Sequence, residues 1–223
     1  NVTISNLAGS PGDGADVETS SAIKVTGTLD VTDGQFMPAT LSDFLDVTIS
    51  ASGGILKPAS SSSLAVSGNW SDAGGTFTPN SSTITMSGSS KTIATGASNE
   101  FYNLTVSGSA STSTTNDVEV EGTLNVGGSL TVSPGDELTL EDATVSGTLT
   151  LDADGSNNAT LDFSTAASAD FDVSGTLVLD GHDASNRAIV TSNDGTRIDL
   201  DITGTLTADY FTFEYPDGDG LYV

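Results

Sequence analysis

The only histidine, His182, lies in LDGHDASN (residues 179–186). It is the one side chain here whose unperturbed pKa suits a general base near neutral pH. No serine and carboxylate flank it in an order that would make a charge-relay nucleophile, so a solvated turn histidine is expected. The thirty acidic residues make any pair of carboxylates weak evidence for acid–base chemistry. A polysaccharide lyase or hydrolase would also need cations grouped with its acids. The five available, Lys24, Lys57, Lys91, Arg187 and Arg197, are scattered, and even Arg187 and Arg197 fall in separate turns. The absence of cysteine removes thiol catalysis, zinc–thiolate sites and disulfides together. No catalytic residues are therefore expected, and no enzymatic activity.

Calcium is the one cofactor with a candidate set. Asp152, Asp154 and Asn157, in DADGSN, are spaced like the opening of an oxygen-ligand loop, and Asp217 and Asp219 in DGDG are spaced similarly. Neither stretch continues to the glutamate that completes an EF-hand loop. Asp-Gly is also a common β-turn sequence, so plain turns are the competing reading. Thr-x-Thr pairs at 26–28, 83–85 and 148–150, with Thr203, Thr205 and Thr207, raise the question of an ice-binding face. The corresponding positions 121, 146 and 174 are Glu, Ser and Ser, so an interrupted ladder and a poor ice template are expected. Asn1, Asn69, Asn80, Asn103 and Asn158 head Asn-x-Ser/Thr triplets, which arise readily by chance in a chain with 64 Ser and Thr. Tyr210, Phe211, Phe213, Tyr215 and Tyr222 crowd the last fourteen residues. They would serve either as a better-packed final turn or as anchors for another subunit.

Short strands are the elements that must carry these residues. The pattern Val/Ile-x-Gly-Thr-Leu recurs as VTGTLDV (25–31), VEGTLNV (120–126), VSGTLTL (145–151), VSGTLVL (173–179) and ITGTLTA (202–208). Looser relatives start at Val66, Met86 and Val106. The motif glycines are mostly 20 to 29 residues apart, with one gap of 41 that can hide a further unit and one of 14. Self-similarity at this period marks a repeat architecture. A β-sandwich also has short strands at regular intervals, but its strands have no reason to be copies of one another. In a parallel β-solenoid each coil sits on its predecessor, and equivalent positions favour the same residue. The expectation is an all-β parallel β-helix occupying 1–223 as one domain, with the sandwich as alternative. At about 24 residues per coil the chain makes roughly nine coils, a rod of about 45 Å. Alternation turns Leu149 inward, and Leu29, Leu124, Leu177 and Leu206 would join it in one column. The best helical candidate is a single turn over 41–45, capped by Ser42.

The stretch 66–108 reads VSGNWSDAGGTFTPNSSTITMSGSSKTIATGASNEFYNLTVSG. Its order of Gly-Asn-Trp, Gly-Thr-Phe, Lys-Thr-Ile and Phe-Tyr-Asn-Leu-Thr-Val resembles repeats of large secreted bacterial surface proteins with adhesin-like parallel β-helices. That resemblance implies an extracellular or cell-surface location and a structural or adhesive role, and it carries over no catalytic residue. The net charge of −25 repels nucleic acid and anionic membranes. The absence of cysteine fits secretion, and the start at Asn1 reads as a mature or trimmed chain. No run approaches the ~20 apolar residues of a membrane helix. The expected function is that of an extracellular structural subunit stacking end to end into a fibre, or of a segment of a longer rod. The alternative is an adhesin or carbohydrate-binding module, with or without calcium.

Overall fold

The structure, a computed structural model, describes residues 1–5, 17–51, 53–96, 100–163, 168–192 and 197–214. Tyr215, Asp217, Asp219 and Tyr222 lie outside these residues. Among the described residues there is no helix, hence none long and apolar enough to cross a membrane. All ladders between strands are parallel, which excludes the antiparallel sandwich. The protein is a parallel β-helix.

Each coil passes over three faces. In one turn the chain runs along Glu137–Val145, whose second half lies on the first face. It crosses to the second face as Thr148–Asp152 and reaches the third as Ala159–Asp162. The next turn repeats the path one rung higher, with Val145 under Val173, Leu149 under Leu177 and Leu161 under Val190. Val25, Phe44, Val66, Met86, Val106, Val126, Val145, Val173 and Ile202 form one continuous column of nine register partners on the first face. Its members are 19 to 22 residues apart up to Val145, then 28 and 29 apart, because the later coils carry longer turns. The gap of 41 between motif glycines holds the coil of Ser42–Ser50.

The motif glycines other than Gly122 mark where the chain turns from the first face to the second. Ser174 and Gly175 both donate their backbone N–H to the carbonyl of Val145, at 2.9 Å each, which draws the corner down onto the coil beneath. A Cβ on Gly175 would lie 2.1 Å from the Gly147 carbonyl oxygen, and one on Gly147 2.0 Å from that of Gly128. No side chain fits there.

Two expectations need correction. Residues 41–45 form no helical turn: Leu41 has φ 62° and Ser42–Ser50 is a strand. Phe44, Val47 and Ile49 alternate inward, and the coils above and below supply their backbone partners, so the sheet prevails over a single capped turn. The five leucines also do not share a column. Leu149, Leu177 and Leu206 are successive register partners. Leu124 instead lies between Leu104 and Ala143 on the first face. Leu29 belongs to the column Val2–Leu29–Val47–Trp70–Ile93, whereas the Leu149 column descends through Leu130 and Thr112 to Lys91. Leu124 differs because Gly122 lies at the corner that leads onto the first face, where a bulge sets Glu121 and Gly122 together against Glu141. Gly122-Thr-Leu124 thus follows a different corner from Gly147-Thr-Leu149, which also accounts for the 14-residue gap.

The core is a narrow aliphatic shaft widened in places by rings. Trp70 packs edge-on to Phe77 and Phe101, with centroids 4.8 and 5.2 Å away. These are the aromatic landmarks of 66–108, and all three are buried.

Candidate functional site

His182 lies at the surface, its Nδ1 3.4 Å from a carboxylate oxygen of Asp183. Asp154 shapes the turn ahead of it. Its Oδ1 accepts the backbone N–H of Ser156 and of Asn157, each at 2.8 Å, and the Asn157 side-chain amide at 3.3 Å. One coil higher, Asp183 accepts the same three donors from Ser185 and Asn186. The Ser156 and Ser185 N–H groups, foremost among these bonds, hold the two carboxyls below the usual aspartate range, with His182 contributing. Asp152 is not part of that turn. It stacks in register under Asp180, which stacks under Asp209. Burial, then the Asp180 and Asp154 charges, raises its pKa. Among the described residues no group of three or more His, Asp and Glu is placed to hold a metal ion.

The five Asn-x-Ser/Thr asparagines tie coils together. Asn1, Asn69, Asn103 and Asn158 accept the backbone N–H of Thr28, Thr92, Thr123 and Arg187, at 3.0, 3.1, 2.9 and 2.6 Å. Asn80 donates to the Pro58 carbonyl at 3.0 Å.

The second face carries two hydroxyl-rich columns, Ser111–Ser129–Thr148–Thr176–Thr205 and Ser113–Thr131–Thr150–Val178–Thr207. Ser146 and Ser174 lie in the corner before the motif glycine and Glu121 lies in the bulge at another corner, so none of the three is on this face; the second column is interrupted instead at Val178. None of the ten positions is charged.

Sequence reasoning missed a groove. Tyr102, Glu119, Glu121 and Glu141 line an open depression of about 480 Å³ over the bulge. Burial and the Glu121 and Glu119 charges raise the pKa of nearby Glu100. Alternating glutamates in VEVEG were visible in the sequence, but only the register brings Glu141 beside them.

The ladders end, among the described residues, at Arg197–Ile202, Thr205–Asp209 and Phe211–Phe213 at the upper end. At the lower end they stop at Val2–Ile4, Val17–Glu18 and the start of Lys24–Val31. Four of the exposed large apolar side chains are at these ends: Val2 and Val17 below, Tyr210 and Phe211 above. Phe211 and Phe213 make an edge-on pair at 5.6 Å. No protein-family model, curated protein or solved structure gives a match to the chain.

Proposed function

We propose that the protein is a structural unit of an extracellular fibre or surface rod, extended by coils stacked on its two ends. The observation that carries this reading is the nine-member column of register partners, since a stack of equivalent rungs has no intrinsic stopping point. Among the described residues, the outermost strands are parallel with apolar side chains exposed beside them, which suits pairing with further coils. The hydrogen-bonded asparagines act in coil cohesion, the aspartates shape single turns, and the composition and surface-protein resemblance suit an extracellular setting. Negative-stain electron microscopy with light scattering, over a salt series, tests the assembly. Rods lengthening with concentration are expected, and monomers at every concentration would refute stacking.

A second reading has its own observation. The hydroxyl columns of the second face form a grid of about 4.8 by 6.8 Å, bordered by the Asp152–Asp180–Asp209 column, a periodic surface suited to ordering water against ice. Thermal hysteresis and ice-recrystallisation assays address it. Lost activity in Thr150→Tyr, with a fold unchanged by circular dichroism, is the expected result if that face binds ice.

A further inference from the structure

The second face is not alone in carrying uncharged rungs. On the first face, outward register partners run Ala65–Thr85–Thr105–Asn125–Thr144, with Ser63–Thr83–Asn103 beside them two residues earlier. None of these positions is charged, in a chain of net charge −25. The longer column meets charge only beyond its limits, at Asp43 below and at Asp172 above. Residues two apart along a strand, on coils one ladder spacing apart, give the same grid of about 4.8 by 6.8 Å as on the second face. We propose that the first face is a second ice-ordering face, so that one rod adsorbs to two planes of an ice crystal. This rests on the ice reading above and adds a site to it.

The hydroxyls of the central rows are free. Among the described residues, Thr85, Thr105 and Thr144 on the first face, and Thr148, Thr150 and Thr176 on the second, make no side-chain hydrogen bond to the protein, and each is at least partly exposed. Hydroxyls at the rims of the faces are instead tied down. Ser67 donates to the Phe44 carbonyl and Ser87 to that of Val66, each at 3.4 Å, and Ser133 donates to that of Thr114 at 2.6 Å. The central rows thus keep both donor and acceptor for water. β-Branching restricts each threonine at χ1 and the ladders fix its backbone, so bound water repeats from rung to rung. A charged group would impose its own hydration on that lattice, as Glu119 and Glu137 do on the third face. The two grids adjoin across the motif-glycine corner, Thr105 with Ser113, Asn125 with Thr131 and Thr144 with Thr150 in successive coils. Because the chain turns at that corner, the grids point in different directions and meet different ice planes.

A single ice crystal grown from a solution of the full chain reveals by etching which planes adsorb it. The parent should mark two sets of planes. Thr105→Tyr, which blocks the first face, should erase one set, and Thr150→Tyr should erase the other, each with part of the thermal hysteresis. The double variant should erase both sets and bring thermal hysteresis to the buffer level. Tyrosine suits exposed strand positions, and circular dichroism melts verify each fold. Thr85→Lys brings a charge to the same column and should erase the same set as Thr105→Tyr, so two unlike substitutions probe the first face. Thr160→Tyr, on the third face, serves as control and should keep both sets. A parent that marks no plane refutes ice ordering on either face. A parent that marks one set, lost in Thr150→Tyr but kept in Thr105→Tyr and Thr85→Lys, refutes the first face and leaves the second standing. Two sets that both vanish in Thr150→Tyr likewise confine the site to the second face.

Discussion

At the residue scale, the motif glycines divide into those with space and those without. A Cβ on Gly175 meets the Gly147 carbonyl at 2.1 Å, but one on Gly108 meets nothing nearer than the Gly127 carbonyl at 3.6 Å, an ordinary contact. Gly175→Ala should therefore cost about 1–3 kcal/mol by overpacking against rigid backbone. Gly108→Ala should be neutral or stabilise by about 0.4–1 kcal/mol, because alanine restricts the unfolded chain. Denaturant melts of the two variants make the comparison, and equal losses would remove close approach as the reason for glycine. Leu41 is the opposite case, a side chain where few would be chosen. It is 73% exposed at φ 62°, so it bears the strain of a left-handed backbone without burial in return. Leu41→Asn should raise stability by about 1 kcal/mol, with the Leu41 N–H still donating to the Ser63 carbonyl at 2.7 Å. An unchanged or lower melting temperature would contradict it.

At the element scale, stacking makes neighbours of like charges. Asp152, Asp180 and Asp209 occupy one column, and Asp170 and Asp172 lie under Asp199 and Asp201. Directly opposed like charges weaken a ladder. Asp136, Glu137 and Asp152 all have raised pKa values, burial first among the causes, with Asp117 acting on Asp136, Asp162 on Glu137 and Asp180 on Asp152. A carboxyl whose folded pKa exceeds its unfolded value binds its proton more tightly when folded. Its stabilising contribution is present below the unfolded pKa and is lost as pH rises through the folded one. Asp154 and Asp183, with lowered values, contribute above the usual aspartate pKa and lose that contribution as pH falls through their folded values. The melting temperature should therefore rise on mild acidification from pH 7 and fall again in stronger acid. Asp180→Asn should raise stability at pH 7 by about 0.5 kcal/mol before screening by salt, and should flatten the pH profile. A melting temperature that falls steadily below pH 7 would show that repulsion in the ladders is unimportant. These ladders also show how far the fold was legible beforehand. Alternation in VSGTLTL and VSGTLVL reports both the strand and its inward leucines, because copies one coil apart stack directly. The phase of VEGTLNV was not legible, since the bulge at Glu121 and Gly122 is a property of the pairing with Glu141 and not of the motif. The groove at Tyr102 escaped for the same reason. Asp154 showed its loop, but its turn hydrogen bonds depend on a backbone conformation that a ligand-like spacing does not specify.

At the scale of the whole molecule, each coil touches little beyond the coil below and the coil above, so the rod is a one-dimensional stack. Removing one complete coil should then be far less harmful than removing part of one. Val145 and Val173 are register equivalents 28 residues apart, which makes 146–173 a whole turn of the helix. Excising it joins Val145 to Ser174 and preserves the corner sequence Val-Ser-Gly. Leu177 then descends onto Leu130, Val190 onto Leu138 and Ile202 onto Val145, each the place its register partner held before. Phe163 and Phe171, which pack on each other at 5.2 Å, leave together, so neither is stranded without its ring partner. Deleting only 146–159 removes half a turn. It brings Thr160–Asp162 onto the second face and exchanges the faces of everything above. The full-coil deletion should retain a β-rich circular dichroism spectrum and a single cooperative melt close to the parent's. The half-coil deletion should lose the order of all coils beyond Val145. If both deletions unfold the protein alike, its stability is shared globally, and the coils are not interchangeable units.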